Sequence, residues 1–503
     1  MFARTLMVQG TASSVGKSAL VTALCRIFKQ DGLRVAPFKS QNMALNSAVT
    51  IDGGEIGRAQ AEQAAAAGVE PTVDMNPILL KPEPGMRSQV VVRGAPWRTL
   101  SARDYHQHKS ELLAVVAESL ARLRSSYDLI VIEGAGSPAE INLKADEIVN
   151  MRIANLAEAP VLLVGDIDRG GVLASLVGTL ELLEPDERDR IAGFVINKFR
   201  GDRTLLQGGL DFLEERTGKP VLGVVPFLPE IGLAEEDSVA LAERRPSKSS
   251  GRVEIAVVRL PHIANYDDFD PLAIETDLRF VERPEELGDA ELVILPGTKS
   301  TTADLDWLRD TGLAGAIVAR VAAGGPVLGI CGGYQMLGRA ILDPDQVESS
   351  HRAVDGLGLL DVTTEFAADK QTVRAAGQAL SGAGVFRGVS GRLFRGYEIH
   401  HGRTRRGGDA PWLAITERAG DRSASTDGAI RPDGLAAGCY IHGLFETDDF
   451  RAGLLGSLAA RRGRAVRSAS FSRDAAYDRL AAHVRAHLDL TAIRRIAGVP
   501  VPR

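Results

Sequence analysis

Two clusters of residues in this chain are suited to chemistry. The first is Gly10-Thr11-Ala12-Ser13-Ser14-Val15-Gly16-Lys17-Ser18. Glycines let backbone N–H groups curl around an anion, and a helix opening just behind them adds a favourable dipole. Gly10, Thr11, Ser14, Val15 and Gly16 are therefore expected to cradle nucleotide phosphates. Lys17 is placed to neutralise the terminal phosphates, and the Ser18 hydroxyl to ligate Mg2+. The spacing departs from the common phosphate loop. Five residues rather than four separate Gly10 from Gly16, and Thr11 stands where the first loop glycine usually falls. A chance Gly-Lys-Ser at a turn is the competing reading, and the flanking strand and helix argue against it.

The second cluster is Leu328-Gly329-Ile330-Cys331-Gly332-Gly333-Tyr334-Gln335-Met336-Leu337. It reads as strand, sharp turn and helix, with glycines that permit a strained turn exposing one thiol. A thiol at such a turn is readied for attack as the thiolate. The Gly332 N–H is one oxyanion donor, and Gly297, in Pro296-Gly297-Thr298 at a neighbouring strand end, is the second. A cysteine nucleophile needs a base. His442, in Tyr440-Ile441-His442-Gly443, follows another apolar run 111 residues later (442 − 331) and is preferred over His400 and His401. His483 and His487 lie four apart in an Arg/Ala-rich helix without a third ligand, which favours a solvated face over zinc; His106 and His108 read as surface.

The first cluster has supporting residues at other strand ends. Glu133, in Val131-Ile132-Glu133-Gly134, is placed to hold Mg2+ directly or through water, with a helix cap as the plain alternative. Asn197-Lys198 is a candidate to read a base edge, or an ordinary turn. Asp166 and Asp168 are either metal-supporting or simple caps.

These residues must be positioned by buried strands. Leu6-Met7-Val8, Asp128-Leu129-Ile130-Val131-Ile132, Pro160-Val161-Leu162-Leu163-Val164, Ile191-Ala192-Gly193-Phe194-Val195-Ile196 and Val221-Leu222-Gly223-Val224-Val225 are continuous apolar runs ending in polar residues. Runs without alternation indicate strands covered on both faces, hence a parallel sheet with helices above and below. Ligands bind beyond the carboxyl ends of such strands. A second series covers residues 253–260, 292–295, 327–330, 397–400 and 439–442. The chain is therefore expected to be α/β with two domains, residues 1–234 and 252–450. A charged, turn-rich linker at 235–251 and a helical segment at 451–503 complete it.

Composition agrees. At roughly 150 residues per domain, 503 residues leave room for two large domains or three smaller ones. With 45% hydrophobic and 25% charged residues, a largely disordered chain is excluded. A net charge of −6 makes bulk binding to nucleic acid or an anionic membrane a poor expectation. Three cysteines, Cys25, Cys331 and Cys439, form no disulfide framework and fit a reducing, cytoplasmic setting; Cys25 and Cys439 read as small buried hydrophobes. No apolar run approaches 18 residues, and residues 2–9 read as a strand rather than a signal peptide.

Over residues 4–450 the chain resembles the cobyric acid synthase family, the glutamine-dependent amidotransferases of CobB/CobQ type in corrinoid biosynthesis. The resemblance rests on the phosphate loop and several further blocks. These are Phe38-Lys39-Ser40-Gln41-Asn42-Met43-Ala44-Leu45-Asn46-Ser47, Glu55-Ile56-Gly57-Arg58-Ala59-Gln60, Met75-Asn76-Pro77-Ile78-Leu79-Leu80-Lys81-Pro82, Glu133-Gly134-Ala135-Gly136-Ser137-Pro138-Ala139-Glu140-Ile141-Asn142-Leu143, Asp166-Ile167-Asp168-Arg169-Gly170-Gly171 and Asn197-Lys198-Phe199-Arg200-Gly201-Asp202. It implies a dethiobiotin-synthetase-like first domain and a flavodoxin-like class I glutaminase second domain.

The implied reaction is ATP-dependent amidation of the b, d, e and g carboxylates of adenosylcobyrinic a,c-diamide, with L-glutamine as nitrogen donor. By position, Cys331 is the nucleophile and His442 its base. ATP phosphates lie on residues 10–18, and Ser18 with Glu133 holds Mg2+. Lys39, with Asp146 as a weaker candidate, would assist the phosphoryl, and residues 39–47 and 133–155 would line the corrinoid pocket. Class I glutaminases usually carry Glu two residues after the histidine; here that position is Leu444, so the group orienting His442 is unassigned. Cobyrinic a,c-diamide synthase is the alternative within the class. A MinD-like ATP switch is the alternative outside it, but such switches carry an extra lysine early in the loop, and none precedes Lys17 here. A binding module with an inactive glutaminase domain is the third reading.

Overall fold

The apolar runs of the first half form one six-stranded, all-parallel sheet. Its order is Val221–Pro226, Ile191–Phe199, Val161–Asp166, Arg4–Gly10, Leu129–Glu133, Val35–Phe38. The computed structural model describes residues 2–229, 252–349, 351–463 and 471–500; the expected linker at 235–251 lies outside the described residues. Side chains alternate between faces along each strand, and both faces are covered. Met7, Ile130, Ile132 and Leu163 pack with helices Lys109–Ser126, Met151–Ala157 and Val172–Leu182. Leu6, Val8, Val131 and Val164 pack with helix Lys17–Gln30. Two-sided burial is the physical reason these runs show no polar alternation.

The C-terminal segment divides, which its helical period alone did not foretell. Helix Asp448–Ala460 stays on the second domain, where Phe450 meets Trp412 and Phe394 edge-on. Helices Arg473–Arg485 and Leu490–Ala497 return to the first sheet and close the face shared with helix Lys17–Gln30 through Leu480, Val484 and Ile493. Each such side chain contributes roughly 1.5–3 kcal/mol on burial. Arg26 ties the segment down through Asp474 at 3.0 Å and Asp478 at 2.7 Å.

Between the second strand and helix Lys109–Ser126 lies an unanticipated insertion. Strands Gln41–Met43, Ile78–Glu83, Arg87–Val92 and Ala95–Ser101 form a small sheet. A hairpin of Ser47–Val49 and Glu55–Gly57 leads into helix Arg58–Ala67.

The second domain has a parallel sheet ordered Asp277–Val281, Glu254–Val258, Leu292–Leu295, Val327–Ile330, Ala436–Cys439, with the short strand Ala429–Ile430 antiparallel at the edge. Residues 397–400 do not belong to this sheet, contrary to expectation. They lie in Leu393–Arg406, a long strand paired antiparallel with Val362–Ala379 in a separate sheet. An apolar run of four residues does not reveal its partner. The two domains meet where Val49 of the hairpin packs on Tyr397 and Ile399. Ser47 N donates to Asn265 Oδ1 at 2.9 Å, and Lys299 pairs with Glu83 at 2.8 Å.

Candidate active sites

The phosphate loop joins strand Arg4–Gly10 to helix Lys17–Gln30. Its curl needs positive φ at Ser14 (58°) and Gly16 (98°). A Cβ on Gly16 would lie 2.1 Å from Asn197 Nδ2, so only glycine fits there. Thr11 N donates to Val164 O at 2.9 Å, and Val15 anchors the loop in the core. Lys17 Nζ curls back over the loop to Ala12 O at 2.9 Å and Gly136 O at 3.2 Å.

Glu133 is buried at its strand end and accepts three side-chain hydrogen bonds: from Ser18 Oγ at 2.9 Å, Lys39 Nζ at 3.0 Å and Gln63 Nε2 at 2.5 Å. Gln63 had no place in the sequence reading; its helix begins in one of the recognised blocks. Asn197 and Lys198 direct their donors at the loop itself, to Val15 O at 2.9 Å and Ser14 O at 2.7 Å. These bonds shape the loop. Asp166 and Asp168 are paired with Lys198 at 2.9 Å and Arg200 at 2.8 Å.

The second site is built on a strained elbow. Cys331 sits at φ 51°, ψ −109° between strand Val327–Ile330 and helix Gly332–Leu337. Its neighbours must be glycine because backbone closes on them. A Cβ at Gly329 would lie 2.6 Å from Tyr334 N, and at Gly333 2.0 Å from Leu295 O. Cys331 N is bonded to Cys439 O at 2.8 Å, so Gly332 carries the first amide beyond Cys331 that this bond does not use. Gly297 lies under the His442 ring, where a Cβ would come within 2.9 Å of Cε1. Thr298 Oγ1 donates to His262 O at 3.0 Å, and His262 Nδ1 lies 2.6 Å from Asp304 Oδ1, which fixes this loop.

His442 lies just past strand Ala436–Cys439 and is buried with its side chain in contact with Cys331. The orienting carboxylate is Asp268. Its Oδ2 is 2.6 Å from His442 Nδ1, and its Oδ1 accepts from Gly443 N at 2.9 Å. Leu444, where class I glutaminases usually have Glu, is packed in the core instead. Burial pushes the His442 pKa down, but Asp268 and then Cys331 outweigh it and bring it up to about 10. The only sequence signal for Asp268 was an acidic pair between two aromatics, Tyr266-Asp267-Asp268-Phe269, which does not single out one carboxylate.

The other histidines sort out plainly. His400 stacks on Tyr440 with ring centres 3.7 Å apart, and it lines the cleft with His401. Burial, then Lys370 and Lys299, lower His401 to about 4. His483 and His487 are half-buried rather than on a solvated face; His483 Nε2 lies 2.9 Å from Pro226 O. Among the described residues no three His, Cys, Asp or Glu side chains group to hold a metal. His106 is exposed, and His108 is half-buried edge-on to Trp97. Cys25 and Cys439 are buried and unpaired, with burial raising both thiols. No helix among the described residues is long and apolar enough to cross a membrane.

One cleft brings the domains together. Cys331, His442, Gly297 and Gln335 share it with Leu45 and Lys81 of the first domain.

Comparison with known proteins finds two family domains in this chain. The CobQ/CobB/MinD/ParA nucleotide binding domain matches residues 6–240, and the CobB/CobQ-like glutamine amidotransferase domain matches 254–450. A cobyric acid synthase of Sorangium cellulosum is 58% identical over 99% of this chain and 99% of its own length. Those of Pelotomaculum thermopropionicum and Dehalococcoides mccartyi are each 54% identical, over 100% and 98% of this chain and 98% and 99% of their own lengths. Fold, sites and relatives define a glutamine-dependent amidating ligase with an ATP-binding domain. An enzyme of this class is neither an ATP switch nor a passive binding module. Within the class, the chain belongs to the cobyric acid synthase family.

Proposed function

We propose that this chain amidates the b, d, e and g carboxylates of adenosylcobyrinic a,c-diamide, using one glutamine and one ATP for each, to give adenosylcobyric acid. The observation that carries the reading is the shared cleft. A Cys331–His442–Asp268 line opens beside Leu45 and Lys81, residues of the domain that bears the phosphate loop.

In the glutamine site, the Cys331 thiolate attacks the side-chain carbonyl carbon and forms an S–C bond. Gly332 and Gly297 N–H groups stabilise the oxyanion. His442, held as the imidazolium by Asp268, gives its proton to the departing nitrogen, and ammonia leaves. Water then cleaves the thioester to glutamate and restores the thiolate, with His442 taking back a proton.

In the other site, a carboxylate is a poor electrophile, so its oxygen first accepts the γ-phosphoryl of ATP, and ADP departs as the bond to the β,γ-bridging oxygen breaks. Lys17 and the loop amides hold the phosphates, and Lys39 stands beside Glu133 to assist the transfer. The Ser18 hydroxyl and the Glu133 carboxylate are adjacent hard oxygen donors at the loop, the set that suits Mg2+, which would neutralise phosphate charge there. Ammonia attacks the acyl phosphate, phosphate leaves, and a proton is released. Because ammonia is mostly ammonium at pH 7, an enclosed passage between the sites is required. Residues 39–47 and 133–155 are the region assigned to the corrin ring; Asp146, in an exposed turn there, is a lesser candidate for the phosphoryl.

The test is mass spectrometry of adenosylcobyrinic a,c-diamide incubated with the protein, ATP and glutamine. Four successive decreases of about one mass unit, acid to amide, are expected. Product that stops short of four, or no product, refutes the substrate assignment.

A further inference from the structure

Helix Arg58–Ala67 of the first domain touches both sites. Through Gln63 it reaches Glu133 of the nucleotide site, at 2.5 Å. At its first residue it reaches the glutamine site. Arg58 is buried, and its Nε lies 2.9 Å from Asp267 Oδ2, an ion pair whose N–H is not aimed at the oxygen. Its Nη2 donates to the Tyr397 hydroxyl, and its guanidinium carbon lies 5.2 Å from the Tyr397 ring centre.

Both of these partners support His442. Asp267 immediately precedes Asp268, the carboxylate on His442 Nδ1. The Tyr397 ring stacks on the imidazole, with centres 5.3 Å apart and planes 18° apart. Tyr397 and His442 also exchange backbone hydrogen bonds, N to O, at 3.1 and 2.9 Å. A second cation does not duplicate this arrangement. Arg473 lies 3.9 Å from Asp267 Oδ2 and is itself paired with Glu62 at 2.8 Å and Glu446 at 2.7 Å. Burial lifts the Asp267 carboxyl above its ordinary range, and Arg58 is the largest opposing influence.

We propose that Arg58 is a positioning residue for glutamine cleavage acting across the domain boundary, holding Asp267 and Tyr397 so that Asp268 and the His442 ring stay aligned on Cys331. The inference rests on the assignment of Cys331 and His442 made above. It means that the glutamine site is complete only with the first domain docked, so that ammonia is released where it can be used.

The test uses the full chain and measures glutamine hydrolysis and ammonium-driven amidation separately. Arg58→Met is expected to lower kcat for glutamine by about tenfold or more, with KM within about threefold and the ammonium-driven rate within about twofold. Arg58→Lys, which restores charge beside Asp267, is expected to recover part of the rate. Tyr397→Phe, which keeps the stacked ring and removes only the hydroxyl, is expected to lower glutamine kcat by about two- to fivefold and serves if Arg58→Met does not fold. Glutamine hydrolysis by Arg58→Met within about twofold of wild type, equal losses from both nitrogen sources, or an unaffected Tyr397→Phe would each overturn the proposal. Cys331→Ala separates the two readings. Hydrolysis surviving in that variant would remove the site assignment itself, whereas hydrolysis that needs Cys331 but not Arg58 would remove only the positioning role.

Discussion

Asp268→Asn is the sharpest probe of the glutamine site. Burial alone would drive His442 below its ordinary 6.5; Asp268, with a smaller part from Cys331, brings it to about 10. That difference of about 3.5 pH units corresponds to about 5 kcal/mol favouring the imidazolium, at about 1.4 kcal/mol per unit. Asparagine preserves the shape but removes the charge and permits the wrong imidazole tautomer. Loss of the carboxylate's charge and of the fixed tautomer, rather than the shift itself, predicts a fall in glutamine kcat of about 10²–10⁴-fold, or about 3–5 kcal/mol in barrier. The pH dependence follows with a definite sign. In the wild type the imidazolium persists until pH rises through about 10. The stability gained from the raised pKa is likewise full below about 6.5 and lost as pH rises through about 10. In Asp268→Asn, burial is less opposed, so the alkaline limb of glutamine hydrolysis moves toward neutral pH. The assay is glutamate release across pH, with ammonium-driven amidation as the control for folding. A variant within about threefold of wild type, with its alkaline limb unmoved, would refute the reasoning.

Three further outcomes are expected. Cys331→Ala should abolish glutamine use and keep amidation with added ammonium; loss of both, measured as corrinoid amide formed, would contradict two separate sites. Lys17→Ala should remove amidation from either nitrogen source and spare glutamine hydrolysis, and retained synthesis would show that the phosphate loop is not where ATP reacts. Gly333→Ala would place a methyl 2.0 Å from Leu295 O, a backbone atom that cannot swing aside. It should cost about 1–3 kcal/mol in denaturant unfolding and suppress glutamine hydrolysis more than ammonium use.

Much of this was legible before any coordinates. Strand ends carrying Glu133 and Asn197, the loop at residues 10–18 and the elbow at Cys331 are local signals, each an apolar run stopped by a turn. His442 was legible for the same reason. What those residues do next was less so. Asn197 has a strand end and an amide, which suggested contact with a base; only the fold shows that the amide also donates to Val15 O and so braces the loop. The strand through Tyr397 reads as apolar, but its pairing with Val362–Ala379 rather than the parallel sheet depends on a partner far along the chain.

Backbone patterning sets element type and the chemistry at element ends, because hydrogen bonding and burial of a strand or a tight turn act over a few neighbouring residues. This much follows from the amino-acid order: a parallel α/β core, a phosphate loop and a cysteine elbow. It does not say which distant groups converge. Asp268 stands 174 residues before His442, and Arg58 belongs to another domain altogether. The final helices cross back to cover the first sheet through Leu480 and Val484. Those meetings are fixed by packing, since a buried histidine, a buried arginine and an uncovered sheet face each need a partner, and many residues along the chain have the right type to supply it.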